Sequence, residues 1–177
     1  MKNYQIRIES LKLSTRVGLS STSVVKSSSL DRLDIASSEG NHFVIIPFAE
    51  VNKPLMNALH YARQLSGHAV GVHILLGSSG KNAIEDQWKK LNIDIPFLVL
   101  DSPNDSVIEP LNDLVHEIRH RDQGGSVTIL LSVITGLKWW QRFLHNQMAR
   151  LIEKAFKNMA AVATICVPFS LVGDSDK

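Results

Sequence analysis

Residues 43–76 decide the fold, and they read FVIIPFAEVNKPLMNALHYARQLSGHAVGVHILL. The run 43–47 is apolar and rich in β-branched residues, which is typical of a strand buried on both faces. Asn52 is placed to cap a helix whose first turn contains Pro54. A second apolar run follows at 69–76. This order of strand, helix and strand predicts a parallel β-α-β unit.

The same alternation continues towards the C-terminus. Further strands are predicted at 96–100, 127–133 and 162–167, and helices at 83–91, 107–118 and from 136 onwards. Strict alternation requires a parallel sheet with helices on both faces and right-handed crossovers. The sequence therefore predicts the α/β class, with five parallel strands.

The last predicted helix begins GLKWWQRFLHNQ at 136–147. Its helical spacing predicts an inward stripe of Trp140, Leu144, Met148, Leu151, Ile152 and Ala155. Trp139 points elsewhere on the same helix. The single cysteine, Cys166, lies in the apolar run ATICV and is predicted to be a buried structural thiol.

Composition divides the chain into three parts. Residues 1–40 are rich in serine and poor in aromatic residues, so they are predicted to form a disordered tail or linker. An α/β domain is expected at 41–172, followed by a short disordered tail at 173–177. The net charge of +2 gives no indication of nucleic-acid binding. No apolar run reaches the ~20 residues of a membrane span, and no signal peptide is present, so a cytoplasmic location is expected.

Ligands of such sheets bind beyond the carboxyl ends of the strands. The predicted loops there supply the candidate ligand residues Ala49, Glu50, Asn52, Ser102 and Ser106. Neither GxGxxG nor GxxxxGK[ST] occurs in the chain. The turn at 77–80, GSSG, either holds a phosphate or is a flexible loop.

Three further candidates share a face of the last helix: Arg142, His145 and Asn146. One interpretation is structural, with these side chains tying neighbouring loops together. In the other interpretation, these side chains bind a partner or an anionic ligand. The residues alone leave both open.

No catalytic or metal site is predicted. There is no GxSxG motif, and the strand-end carboxylates Glu50 and Asp101 are the only candidates for acid–base chemistry. His116 and His120 stand four residues apart without an indicated third ligand, which favours a solvated helix face over a metal site. His73 lies within an apolar strand and is predicted to be a core histidine with a hydrogen-bond partner.

Several blocks together resemble the cytosolic C-terminal domain of bacterial amino-acid/polyamine/organocation (APC) superfamily permeases, including the KimA-type potassium importers. These blocks are VIIPFAEVNKP at 44–54, VGVH at 70–73, SPNDSVIEPL at 102–111 and WWQRFLHNQ at 139–147. The resemblance covers residues 42–171. It implies a Rossmann-like three-layer sandwich, similar to universal stress proteins, with strand order 3-2-1-4-5.

The same resemblance implies a function. Domains of this kind hang below a transporter and commonly form homodimers, and in the KimA-type importers they are associated with inhibition by cyclic di-AMP. Nucleotide-binding stress proteins carry an acid where this chain has Ala49, and a glycine loop GxxGx9G[ST] that the residues from Gly136 do not match. These departures weigh against ATP binding in the manner of the stress proteins.

Three hypotheses remain open. The first is a non-enzymatic regulatory and dimerising domain of an APC-type permease, tethered at the cytoplasmic face of the membrane and able to sense cyclic di-AMP or ATP. The second is a stand-alone nucleotide-binding module of the stress-protein type, and the third is a hydrolase or transferase. The chain is an excised domain, a truncated product or a free-standing relative, and the sequence does not distinguish these.

Overall fold

A parallel sheet lies between two pairs of helices. The structure is a computed structural model that describes residues 41–76, 81–91, 93–102, 104–122, 125–135 and 147–170. In chain order the elements are β1 His42–Phe48, α1 Lys53–Leu65, β2 His68–Leu76, α2 Lys81–Lys90, β3 Phe97–Ser102, α3 Ile108–Arg121, β4 Ser126–Thr135, α4 Gln147–Phe156 and β5 Val162–Ser170. The predicted tails at 1–40 and 173–177 lie outside the described residues.

The sheet has the order β3-β2-β1-β4-β5, and every pair of neighbouring strands is parallel. The predicted α/β class and the Rossmann-like order 3-2-1-4-5 are therefore confirmed. β1 lies in the middle, with Phe43 opposite His68 of β2 on one side and opposite Val127 of β4 on the other. The winding reverses between β1 and β4, which places the topological switch point at the end of β1.

Helices α1 and α2 cover one face of the sheet. The predicted cap of α1 is confirmed, because the Asn52 side-chain oxygen accepts a hydrogen bond from the Leu55 amide at 3.0 Å. The buried side chains of this layer come from the two helices and from β1, β2, β4 and β5, and include Val44, Ile46, Leu55, Ala58, Leu59, Ala62, Ala69, Trp88, Leu130 and Val167. Their spacing along α1 gives the helix one apolar stripe, which seats it on the sheet.

Trp88 is the central side chain of α2. It is 7% exposed, stacks against both Phe48 and Phe97 at centroid distances of 5.2 and 5.0 Å, and donates its indole N–H to the carbonyl of Ile95 at 3.3 Å. Gly71 of β2 lies directly beneath the ring, and a β-carbon there would overlap it. The absence of a side chain at this position is what allows α2 to approach the sheet.

Helices α3 and α4 cover the other face. The inward face of α3 is apolar and has helical spacing, since Leu111, Leu114, Val115 and Ile118 are all buried. They pack with Phe43, Ile45 and Ile129 of the sheet and with Ile152 and Phe156 of α4. Helix α4 is therefore held by the two buried residues of its inner side.

The predicted inward stripe of the last helix is wrong in part. Ile152 is buried, but Met148 and Leu151 are 41% and 50% exposed, and Ala155 is exposed as well. The contact with the sheet is narrower than the apolar stripe, and it follows Ile152 and Phe156. Trp140 and Leu144 lie outside the described residues.

The prediction of a buried Cys166 is also wrong, because this thiol is exposed. Its strand, β5, pairs only with β4 among the described strands and forms an edge of the sheet. An apolar run on an edge strand is covered on fewer sides than the same run at the centre. Partial burial, followed by the charge of Glu153, raises the pKa of the Cys166 thiol.

Candidate functional site

A cavity of about 410 Å³ opens at the carboxyl edge of the sheet, where the winding reverses. This volume lies in the usual range of small-molecule sites, ~300–1,000 Å³. Its described walls come from the ends of β1, β2 and β4 and from the first turns of α1 and α4. They are Pro47, Phe48, Ala49, Glu50, Asn52, Pro54, Leu55, Ile74, Leu76, Val107, Leu131, Ser132, Ile134, Met148, Ala149 and Ile152.

Three of the predicted ligand residues, Ala49, Glu50 and Asn52, line this cavity together. They follow β1 directly, and Ala49 and Glu50 are exposed. The carbonyl oxygen of the Asn52 side chain is already used, because it caps α1 through the Leu55 amide. This bond fixes the orientation of Asn52 at the mouth of the cavity.

Ser102 and Ser106 do not line the cavity. Ser102 is 5% exposed, and its hydroxyl donates to the Ser106 carbonyl at 2.7 Å. The Ser106 hydroxyl accepts a hydrogen bond from the Glu109 amide, three residues later, at 3.3 Å. Both hydroxyls therefore hold the loop between β3 and α3, and Val107 beside them supplies a wall of the cavity.

The walls on the other side of the switch point were not predicted from the sequence. Ser132 and Ile134 of β4 and Met148 and Ala149 of α4 face the cavity. The prediction took loop residues as candidates, whereas these residues lie inside regular elements. Alternation along β4, which directs Ser132 and Ile134 to one face of the sheet, was the signal that could have found them.

The described lining is mainly apolar, and Glu50 is its one ionisable side chain. A carboxylate repels phosphate, so the described part of the cavity suits an uncharged, partly apolar group better than a phosphate group. Asn52 and Ser132 add polar groups that are able to hydrogen-bond such a group.

His73 of β2 supports the end of β1 next to this region. Its Nδ1 lies 3.2 Å from the Phe48 carbonyl, and its ring packs against the Phe48 ring at a centroid distance of 5.5 Å. Burial lowers the pKa of His73, and the bond to Phe48 opposes that shift. The prediction of a core histidine with a hydrogen-bond partner is confirmed.

The remaining candidate ligand residues, Arg142, His145 and Asn146, lie outside the described residues, as does the 77–80 turn. Their role stays a prediction. In the sequence they stand between Ile134 and Met148, which both line the cavity.

The described residues contain no group of three or more His, Cys, Asp or Glu side chains arranged to hold a metal ion. His116 and His120 of α3 are exposed, and His120 stands beside Arg119 and Arg121. Glu50 lines the cavity, whereas Asp101 does not. The pair of strand-end carboxylates considered for acid–base chemistry is thus not brought together there.

Comparison with known proteins places the fold in a family. Residues 40–169 match the model of the KimA potassium transporter C-terminal domain. The chain belongs to this family. The residue blocks that contain Asn52, Ser102 and the two adjacent tryptophans also resemble this domain.

A curated relative supports the same assignment. The KimA-family chain is 29% identical over 112 residues to the potassium transporter KimA of Bacillus subtilis (strain 168). The alignment covers 62% of this chain and 18% of that transporter, so the chain spans less than a fifth of the relative's length. Within the described residues, no helix has the length and apolarity needed to cross a bilayer.

Among solved structures, the pantothenate synthetase of Thermus thermophilus is similar, with a TM-score of 0.40 and 10% identity. The match covers 78% of this chain and 59% of that one. A likeness this distant does not bear on function.

Proposed function

We propose that this KimA C-terminal domain is the cytosolic regulatory and dimerising part of a potassium transporter, that it has no enzymatic activity, and that it senses a nucleotide such as cyclic di-AMP. The observation that carries the proposal is the cavity at the switch point of a domain whose family is defined by a transporter. A ligand that binds in this cavity would favour one of two arrangements of the domain and so alter transport.

The chemistry of the walls supports a binding mode in which the base lies inside the cavity and the phosphates lie outside it. The base of a nucleotide is planar and largely apolar, and it suits the space between Phe48, Ile134 and Met148. The phosphates of cyclic di-AMP would stay outside, away from Glu50. The predicted cation Arg142 would meet them there, with His145 and Asn146 as hydrogen-bonding partners.

Isothermal titration of the 177-residue chain with cyclic di-AMP, and separately with ATP, tests the ligand. Ala149→Phe fills the cavity from α4, and Ala155→Phe is the matched control because Ala155 is exposed on the same helix. We expect saturable binding of cyclic di-AMP that Ala149→Phe abolishes and Ala155→Phe preserves. Equal binding by all three proteins would place the ligand elsewhere, and no binding by the unmodified chain would remove nucleotide sensing from the proposal.

The edge strand β5 is the proposed dimer contact. Its nine residues, Val162–Ser170, pair with β4 on one side only among the described strands. An unpaired edge is a template for a second copy of the chain. Two copies that pair along β5 would form one continuous sheet.

The single cysteine offers a direct test of this contact. Cys166 is exposed on β5, so a short bismaleimide should join two copies if their β5 edges meet. We expect a covalent dimer from the unmodified chain and none from Cys166→Ser. Light scattering that shows a monomer at high concentration would overturn the dimer, whatever the titration shows.

A transport assay tests the regulatory role itself. Potassium uptake by the parent transporter should fall when cyclic di-AMP is present, and Ala149→Phe in the parent should relieve this inhibition. Inhibition that persists in Ala149→Phe would separate regulation from the cavity.

A further inference from the structure

We propose that the outer face of α4 rests on the anionic headgroups of a lipid bilayer. The inference builds on the proposed function, because a domain attached to a transporter is held close to a membrane. The observation behind it is a row of cations on α4 next to apolar side chains that remain exposed.

Three cations form one row along the outside of α4 and its C-terminal end. Arg150, Lys154 and Lys157 are spaced four and three residues apart, so they share one helical face. All three are exposed, and the inner side of the helix is occupied by Ile152 and Phe156. No ion pair engages these three cations within the part of the chain that the structure describes.

Apolar side chains flank this row. Leu151 is 50% exposed, and the exposed Ala155 continues the same flank one turn later. Leu151 is the most exposed large apolar side chain in the described residues. A helix that carries cations beside exposed apolar groups has the pattern of helices that lie in the interface of anionic membranes.

Comparison with the other helices singles out α4. Helix α2 has Glu85 and Asp86 four residues before Lys89 and Lys90, and its third lysine, Lys81, stands at the opposite end of the helix. Helix α3 contains the paired Glu117 and Arg121. Helix α1 has two cations, Lys53 and Arg63, but they stand at opposite ends of the helix. The cations of α4 are concentrated within eight residues with Glu153 as the one acid among them.

Charge complementarity identifies the surface that this face of α4 contacts. A lipid surface with anionic headgroups offers many negative charges in one plane, which matches a straight row of cations. Each basic residue close to such a surface contributes roughly fivefold to partitioning. Leu151 would enter the headgroup region as the cations approach the phosphates.

Vesicle co-sedimentation of the 177-residue chain tests this proposal without nucleotide. One set of vesicles is phosphatidylcholine, and the other contains phosphatidylglycerol in addition. We expect binding to the anionic vesicles that weakens as salt is added, because exposed charges are screened within a Debye length of ~10 Å at 0.1 M salt.

Two pairs of variants separate this face from the general charge of the protein. Arg150→Glu with Lys154→Glu should lower partitioning by at least ~25-fold, while Lys89→Glu with Lys90→Glu on α2 makes the same charge change and should leave it as it was. Leu151→Ser should weaken binding, whereas Tyr61→Ser, at an exposed site of α1, should not.

Several results would overturn the inference. Equal loss in the α4 and α2 double variants would mean binding by net charge alone. Absence of binding to anionic vesicles would remove the membrane contact. A change in oligomeric state in Arg150→Glu with Lys154→Glu, without loss of lipid binding, would make this face a contact between copies. None of these outcomes depends on cyclic di-AMP, so the nucleotide proposal stands or falls separately.

Discussion

Two regions of the molecule differ in how completely their apolar side chains are buried. The closed side is the region around β2 and α2, and the open side is the region around β5 and α4. Around β2 and α2, Trp88 is 7% exposed and stacks against Phe48 and Phe97, and only Leu76 at the end of β2 is an exposed large apolar side chain among the described residues of these two elements. Around β5 and α4, Leu151, Met148 and Cys166 are exposed although they lie in regular elements. We conclude that the open side is the part available for contacts, and we expect its exposed side chains to contribute less stability than the buried ones of the closed side.

The largest expected effect concerns the centre of the closed side. Trp88→Ala removes a buried indole and its bond to the Ile95 carbonyl, so the free energy of unfolding should fall by about 3–5 kcal/mol. Urea denaturation followed by circular dichroism measures it. Leu151→Ala on the open side is the comparison, and an equal loss there would contradict the difference between the two sides.

Gly71→Ala tests how tightly the closed side is packed. A β-carbon at this position would lie 3.0 Å from Cζ2 of Trp88 and closer still to Cη2, so the indole ring or the strand must move. Overpacking of this kind costs about 1–3 kcal/mol of unfolding free energy.

Gly67→Ala is the matched control for that substitution. No atom lies within 4 Å of a β-carbon placed on Gly67, so this change should be neutral or slightly stabilising. Chemical denaturation of the two variants side by side would show whether α2 is seated as closely as the contact with Gly71 indicates. Similar stabilities for both would mean that Trp88 has room to shift.

His73, on the closed side, should make the unfolding free energy of the protein depend on pH. Its pKa is lowered in the folded protein from the ordinary value of 6.5, chiefly by burial. As the pH falls below 6.5, the unfolded chain binds the proton first, so the unfolding free energy should decrease. The full contribution of neutral His73 to the unfolding free energy is present above the pKa that this side chain has in the unfolded chain.

The measurement is denaturation between neutral and mildly acidic pH. His73→Asn should flatten the dependence, whereas His60→Gln should keep it, because His60 is exposed on α1. An unchanged slope in His73→Asn would assign the pH effect to other groups.

The smallest effect is expected on the open side. Leu151→Ser changes a side chain that is 50% exposed, so the unfolding free energy should stay within about 0.5 kcal/mol of the unmodified protein. Thermal denaturation is sufficient to check this. A loss of several kcal/mol would show that Leu151 packs against part of the chain outside the described residues.

Local patterns predicted much of the fold because the responsible forces act over short distances. The cap at Asn52 involves an amide three residues away, and the apolar face of α3 follows helical spacing. His73 was recognised as a core residue because its neighbours along β2 are apolar. Part of the site was predicted for the same reason, since Ala49 and Glu50 follow β1 directly.

The errors share a different cause. Cys166 and Leu151 lie in stretches as apolar as those of the core, and nothing in those stretches tells which strand ends at an edge of the sheet. Ser132 and Met148 join Ala49 at one cavity, although the chain separates them by long intervals. Such positions depend on where the winding reverses, which involves the whole chain.

The sequence by itself determined the alternating elements, their caps and the inward faces of α1 and α3, because periodicity and hydrogen bonding between near neighbours set these. Only the tertiary structure decided that β5 lies at an edge, that α4 exposes Leu151 beside its cations, and that β1, β4 and α4 enclose a cavity. The physical reason is that burial depends on which surfaces meet, and distant parts of the chain provide those surfaces.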